Sequence, residues 1–126
     1  GFADFGKDDV LFFSKEVKKG DYVALDTTSM TVKKAAKADK IIGQVIDEPA
    51  FKGDRPKEDT TSGNYTRRVA TVRVWGDKAI AMGDSVAYEG DNVFDKATTA
   101  NTTIALETAE ALKAPKVLVL FGYRGL

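Results

Sequence analysis

The sequence predicts an all-β domain, a small barrel-like or sandwich structure built from two imperfect copies of one supersecondary unit. Three observations carry this. Gly20-Asp21-Tyr22-Val23-Ala24-Leu25-Asp26 recurs as Gly83-Asp84-Ser85-Val86-Ala87-Tyr88-Glu89. Short alternating or apolar runs are separated at close spacing by turn residues, with 11 glycines in 126 residues, which is how strands are punctuated. No window sustains the 3.6-residue period of a long amphipathic helix.

The repeat continues downstream of both copies. Thr31-Val32-Lys33-Lys34-Ala35 aligns with Val93-Phe94-Asp95-Lys96-Ala97, and Ala38-Asp39-Lys40-Ile41-Ile42-Gly43 with Ala100-Asn101-Thr102-Thr103-Ile104-Ala105. One gap, in the first turn, suffices. The two units then span about 18–48 and 82–108, and each has an apolar face that it cannot bury alone.

In chain order, residues 1–9 show no periodicity and read as an N-terminal arm, with 10–126 as a single β domain. Phe2 and Phe5 in the arm either tuck onto the domain's own core or anchor on another chain. Val10-Leu11-Phe12-Phe13 reads as a short buried strand. In the first unit Val23 and Leu25 alternate with Tyr22 and Ala24, which puts Val23 and Leu25 on the core side. Residues 34–39 could close one helical turn. Ile41 to Ile46 is apolar on both faces and reads as a central strand. Residues 47–66 hold two of the three prolines and many charges, the composition of an exposed loop; its 20 residues exceed the usual connection in a compact domain.

Ala70, Val72 and Val74 then alternate with Thr71, Arg73 and Trp75 in a half-buried strand. In Leu106 to Ala114 helix-forming residues compete with a strand reading, and analogy with the first unit favours a strand through Glu107 followed by a turn or one short helix. Val117 to Phe121 reads as a buried closing strand, with Tyr123 and Arg124 at its surface end.

Composition narrows the chemistry. The chain has no cysteine and no histidine, so thiolate nucleophiles, Cys-built zinc sites and the commonest general base are excluded. No cofactor, metal or catalytic residue is expected. Lys+Arg 19 against Asp+Glu 19 argues against a general polyanion binder, which carries an excess of cation. There is neither a GxxxxGK[ST] nor a GxGxxG motif. The adjacent pairs Asp8-Asp9, Asp47-Glu48 and Glu58-Asp59 point to opposite faces if extended and read as solvated charge. No run approaches the ~20 apolar residues that cross a bilayer, so no membrane is expected. The chain therefore reads as a binding or structural module, with Phe51, Arg55, Tyr65, Arg73, Trp75, Tyr88, Tyr123 and Arg124 as candidate oligomer or partner contacts. The mix of Tyr65, Arg67, Arg68, Arg73 and Trp75 also fits a single-stranded nucleic-acid-binding β-barrel, where bases stack on rings and phosphates meet guanidinium groups; Asp54, Glu58, Asp59 and Asp77 oppose it.

Taken together, GDYVALD…TVKKAAKADKIIGQVID…RRVATVRVWG…MGDSVAYEGDNVFDKATTANTTIALETA…VLVLFGY resembles the small capsid decoration, or cement, proteins of tailed bacteriophages. The resemblance spans Lys18 to Tyr123 and rests on the paired Gly-Asp-x-Val turns, a phrase ending in Ile-Gly-x-Val, and a strand that closes the domain. It implies a β-barrel-like or β-tulip-like fold, assembly as a homotrimer on the outer surface of the virion, and clamping of neighbouring major capsid subunits where they meet. Phe2 and Phe5 are then expected to bind the capsid. The loop at Pro49 to Asn64 departs from the family pattern.

Overall fold

The Gly-Asp turn that opens each repeat is held by its own carboxylate. In the computed structural model of the chain, which describes residues 12–53, 55–56, 66–113 and 115–122, Gly20 and Gly83 take φ of 91° and 90°. Only glycine adopts that conformation at the third turn position without strain. The Asp21 N–H donates to the Lys18 carbonyl at 3.1 Å while the Lys18 N–H donates to Asp21 Oδ2 at 2.9 Å. The Asp84 N–H donates to the Ala81 carbonyl at 3.0 Å and the Ala81 N–H to Asp84 Oδ2 at 2.9 Å. A third turn has the same lock: the Asp39 N–H donates to the Ala36 carbonyl at 3.0 Å and the Ala36 N–H to Asp39 Oδ2 at 2.8 Å. There Ala38 fills the glycine position, at φ 71°.

Among the described residues the turns space out eleven strands: β1 (Tyr22–Asp26), β2 (Thr31–Lys34), β3 (Ile41–Val45), β4 (Phe51–Lys52), β5 (Arg55–Pro56), β6 (Thr66–Arg67), β7 (Val69–Val74), β8 (Val86–Tyr88), β9 (Val93–Lys96), β10 (Ile104–Ala105) and β11 (Lys116–Leu120). They form a four-stranded sheet ordered β2-β1-β3-β6, a five-stranded sheet ordered β10-β11-β7-β9-β8, and the β4-β5 hairpin. All pairs are antiparallel except β7 with β9. The fold is all-β, as expected, and is not a closed barrel. The five-stranded sheet curls until Ser85, just before β8, bridges Ile104 of β10, yet no ladder completes the ring.

The internal repeat is structural. Val23 pairs with Lys34 and Leu25 with Val32 in the first unit; Val86 pairs with Lys96 and Tyr88 with Phe94 in the second. The Tyr22 carbonyl accepts the Ala35 N–H and the Ser85 carbonyl the Ala97 N–H, both at 2.9 Å. The third strands need a correction. The Val45 N–H donates to the Asp21 carbonyl as the Ala105 N–H does to that of Asp84, each at 2.9 Å, so Val45, not Gly43, is the counterpart of Ala105. Ala35 to Val45 takes ten steps along the chain and Ala97 to Ala105 eight. The locked Ala36–Asp39 turn lengthens the first connection, and a second gap is required.

Two apolar clusters lie on opposite sides of β1. Tyr22 joins Ile41, Val72, Phe94, Val117, Phe121 and others in the larger, while Val23 joins Phe13, Val17, Val32 and Val45 in the smaller. This corrects the one-sided reading of β1: Tyr22, Val23 and Ala24 are all buried and Leu25 only half-buried. The strand is covered on both faces because Tyr22 reaches across to the second repeat.

Other elements differ in detail. No helix forms among the described residues. Residues 34–39 make the locked turn instead. β10 stops at Ala105, because Ile80 and Ala109 then bridge by paired N–H to carbonyl bonds of 2.9 and 2.8 Å, an extended geometry that overrides the helix propensity of the segment. Of the predicted first strand, Val10 and Leu11 lie outside the described residues. Phe12 and Phe13 run beside β2, parallel to it, with the Val32 N–H donating to the Phe12 carbonyl at 2.9 Å and the Ser14 N–H to the Val32 carbonyl at 2.8 Å.

Candidate interaction surface

The alternation expected in β7 is present: Ala70, Val72 and Val74 are buried and Val69, Thr71 and Arg73 face out, with Trp75 just beyond the strand 59% exposed. β11 presents the matching outer row. Val117 and Val119 enter the core, so Lys116, Leu118 and Leu120 point outward. The ladder sets Lys116 opposite Arg73, Leu118 opposite Thr71 and Leu120 opposite Val69, and Ile104 of β10 opposite Leu120. The outer face thus grades from an apolar end, Ile104, Leu120 and Val69, to a cationic end, Lys116 and Arg73, with Trp75 beside it.

Two like charges directly opposite on one sheet face destabilise the pair. Among the described residues neither Arg73 nor Lys116 has a carboxylate partner, whereas Lys33, Lys37, Lys78, Lys96 and Lys113 pair with Asp39, Glu89, Asp95, Asp84 and Glu110. Leu112, 88% exposed, lies near the same end, its N–H donating to the carbonyl of Gly76 at 2.6 Å.

The remaining candidates separate. Tyr88 is not a surface contact: it is 4% exposed, its ring centroid 5.0 Å from Phe94 and 5.7 Å from Tyr22, and its hydroxyl accepts the Asn92 N–H at 3.0 Å. Its equivalence with Leu25, which the alternation of the first unit puts on the core side, already pointed inward. Phe51 is half-buried, packs on the smaller cluster and pairs in register with Pro56, so it anchors the β4-β5 hairpin. Pro49 is buried as well, and the start of the 47–66 segment is therefore structured rather than a free loop. Arg55 pairs with Lys52 in that hairpin, and its side chain lies outside the description. Phe2, Phe5, Tyr65, Tyr123 and Arg124 lie outside the described residues.

Arg68, counted with the nucleic-acid candidates, serves the fold. Its Nε donates to the Phe121 carbonyl at 3.3 Å and its Nη2 to the Gly122 carbonyl at 2.7 Å, pinning the end of β11 to β7. Arg67 belongs to the other sheet. Among the described residues of the rival constellation, Arg73 and Trp75 share a face.

Lys116 is an outward cation that sequence reasoning missed; the alternation of Lys116-Val117-Leu118-Val119-Leu120 could have placed it there. Asp95 was also missed. It is 2% exposed, accepts Lys78 Nζ at 3.0 Å and the Lys96 N–H at 2.8 Å, and its bond to Lys78 raises that ammonium above its ordinary 10.5. This is a structural pair, since Lys78 and Lys96 are its two donors. Among the described residues no cluster of Asp and Glu is arranged to hold a metal ion, and no helix is long and apolar enough to cross a membrane. No known protein family matches the chain, and no curated protein matches it.

Proposed function

We propose that the chain is a capsid decoration protein, which binds the outside of a tailed-phage shell and stabilises the contacts between major capsid subunits. The observation that carries this reading is the outer face of β7 and β11: an exposed tryptophan, an apolar row and two cations without a carboxylate partner among the described residues make a surface suited to contact, not to chemistry. The two Gly-Asp-x-Val turns with matching carboxylate locks support the resemblance to that family. A cement protein needs no catalytic group and tolerates zero net charge. It works by spreading contact over several partners, so that weak sites become avid when engaged together. Assembly as a homotrimer would multiply the sites again, and Phe2 and Phe5 would add an apolar anchor to each copy.

The test is sedimentation of empty shells, assembled from a tailed-phage major capsid protein encoded in the same genome as this chain, through a density gradient with and without added chain. Saturable co-sedimentation supports the proposal. Chain that stays at the top of the gradient at concentrations well above those of shell subunits refutes it.

A further inference from the structure

We propose that the Arg73–Lys116–Trp75 end of the five-stranded sheet is the docking site for an acidic segment of the shell subunit, flanked by apolar residues that lie along Leu118, Leu120 and Val69. The inference rests on the function proposed above and names the surface and chemistry it uses. Arg73 and Lys116 are set face to face in the β7-β11 ladder, and among the described residues neither has a carboxylate within 4 Å. Their mutual repulsion is relieved by an anion lying across both, which is the geometry a carboxylate on an extended segment can supply.

The neighbours of the pair select for protein rather than polyanion. Beyond Arg73 the outer face is mostly apolar, with Thr71 followed by Leu118, Leu120, Val69 and Ile104, and the Glu107 carboxylate at its β11 edge is occupied by the Leu118 N–H at 2.8 Å. At the other end Trp75 is 59% exposed and Leu112 88% exposed. A phosphate backbone needs a continuing cationic track, and here the track stops: the next guanidinium along the chain, Arg68, is committed to the carbonyls of Phe121 and Gly122. Two cations within an apolar surround fit one or two carboxylates set among hydrophobic side chains. Charge at such a contact sets encounter and register, while the buried aromatic carries affinity.

Trp75 is the one tryptophan of the chain, so its emission reports on this face directly. The experiment titrates the full chain with the same shells and follows Trp75 emission and acrylamide quenching, alongside the double variant R73E/K116E, the milder R73Q/K116Q, and a dT20 oligonucleotide as a second probe. All four substitutions are at exposed positions, and melting curves check that each variant keeps the parent fold. The expected result is a blue shift and protection from acrylamide on shell binding, weakened by salt. Affinity should fall at least tenfold in R73E/K116E and by a smaller factor in R73Q/K116Q, with no shift from the oligonucleotide. Shells that bind without moving Trp75 emission, or bind R73E/K116E as tightly as the parent, overturn the assignment of this face and leave the decoration function standing. A blue shift with dT20 equal to that with shells overturns it in favour of nucleic acid. Parent chain that binds no shell overturns both proposals.

Discussion

The ring of Tyr22 stands edge-on to the ring of Phe94, centroids 4.9 Å apart and planes at 86°. Tyr22 belongs to the first repeat and Phe94 to the second, so this pair fastens the two units through one core. Tyr88 and Phe121 complete the aromatic group, at 5.7 and 5.8 Å from Tyr22. Tyr22→Ala should therefore cost about 3–5 kcal/mol, the range for removing a large buried aromatic ring. Tyr22→Phe, which keeps the edge-to-face contact, should cost under about 1.5 kcal/mol. Urea titrations of both variants check this; a cost for Tyr22→Ala near 1 kcal/mol would mean that the repeats are held together elsewhere.

Ala38 occupies the left-handed turn position that Gly20 and Gly83 occupy in the other two locked turns. An L-residue there costs roughly 1–2 kcal/mol, part of which glycine gives back through its freer unfolded chain. Ala38→Gly should raise stability by up to about 1 kcal/mol, with its N–H bond to the Tyr88 carbonyl, 3.0 Å, retained. Gly20→Ala should move the melting temperature the other way.

If the repeats are structurally equivalent, their turn locks are interchangeable in energy. Asp21→Ala and Asp84→Ala should each cost about 1.5–3 kcal/mol, the range of a hydrogen bond to a charged group, and should agree within about 0.5 kcal/mol. The additional ion pair of Asp84 with Lys96, 3.6 Å and partly exposed, adds at most a few tenths to this. Chemical denaturation of the two variants side by side tests the equivalence.

The fold should lose stability in alkali. Burial, with the charge of Tyr88 adding to it, raises the Tyr22 phenol above its ordinary 10.0, and the bond to Asp95 raises the Lys78 ammonium above 10.5. Both groups hold their protons longer in the folded chain than in the unfolded one. Their contribution is complete below about pH 10 and is lost as pH rises through the folded values. Tyr22→Phe removes the phenol's share, so above pH 10 its melting temperature should fall less steeply than the parent's. Asp26 runs the opposite way: the Ser29 and Thr28 backbone N–H groups hold its carboxyl below the usual 3.8, and that contribution is lost as pH falls through the folded value.

Much of this architecture is legible in the sequence because it resides in local signals. A glycine before an aspartate at two equivalent positions gives the turns, and alternation in Ala70 to Trp75 gives the sidedness of β7. What was hidden depends on packing between units. Tyr22-Val23-Ala24-Leu25 alternates as if one face were buried, but β1 lies between two clusters, and nothing local says that Tyr22 is covered by Phe94 and Phe121. The third-strand register was misread by two residues because Gly43 and Ala105 are both small and in similar apolar runs, while the backbone bonds that fix Val45 to Asp21 have no sequence signature. Lys116 escaped notice for the same reason. A cation at the start of a strand is ordinary, and its placement opposite Arg73 exists only in the ladder.

The central claim is that the chain cements a shell, and the most direct measurement is the heat stability of the shells themselves. Scanning calorimetry of shells assembled from a tailed-phage major capsid protein encoded in the same genome should show their melting transition rise as chain is added, level off when the sites are filled, and return to its starting value when the chain is washed away in high salt. A shell transition that stays where it was at saturating chain would contradict the account.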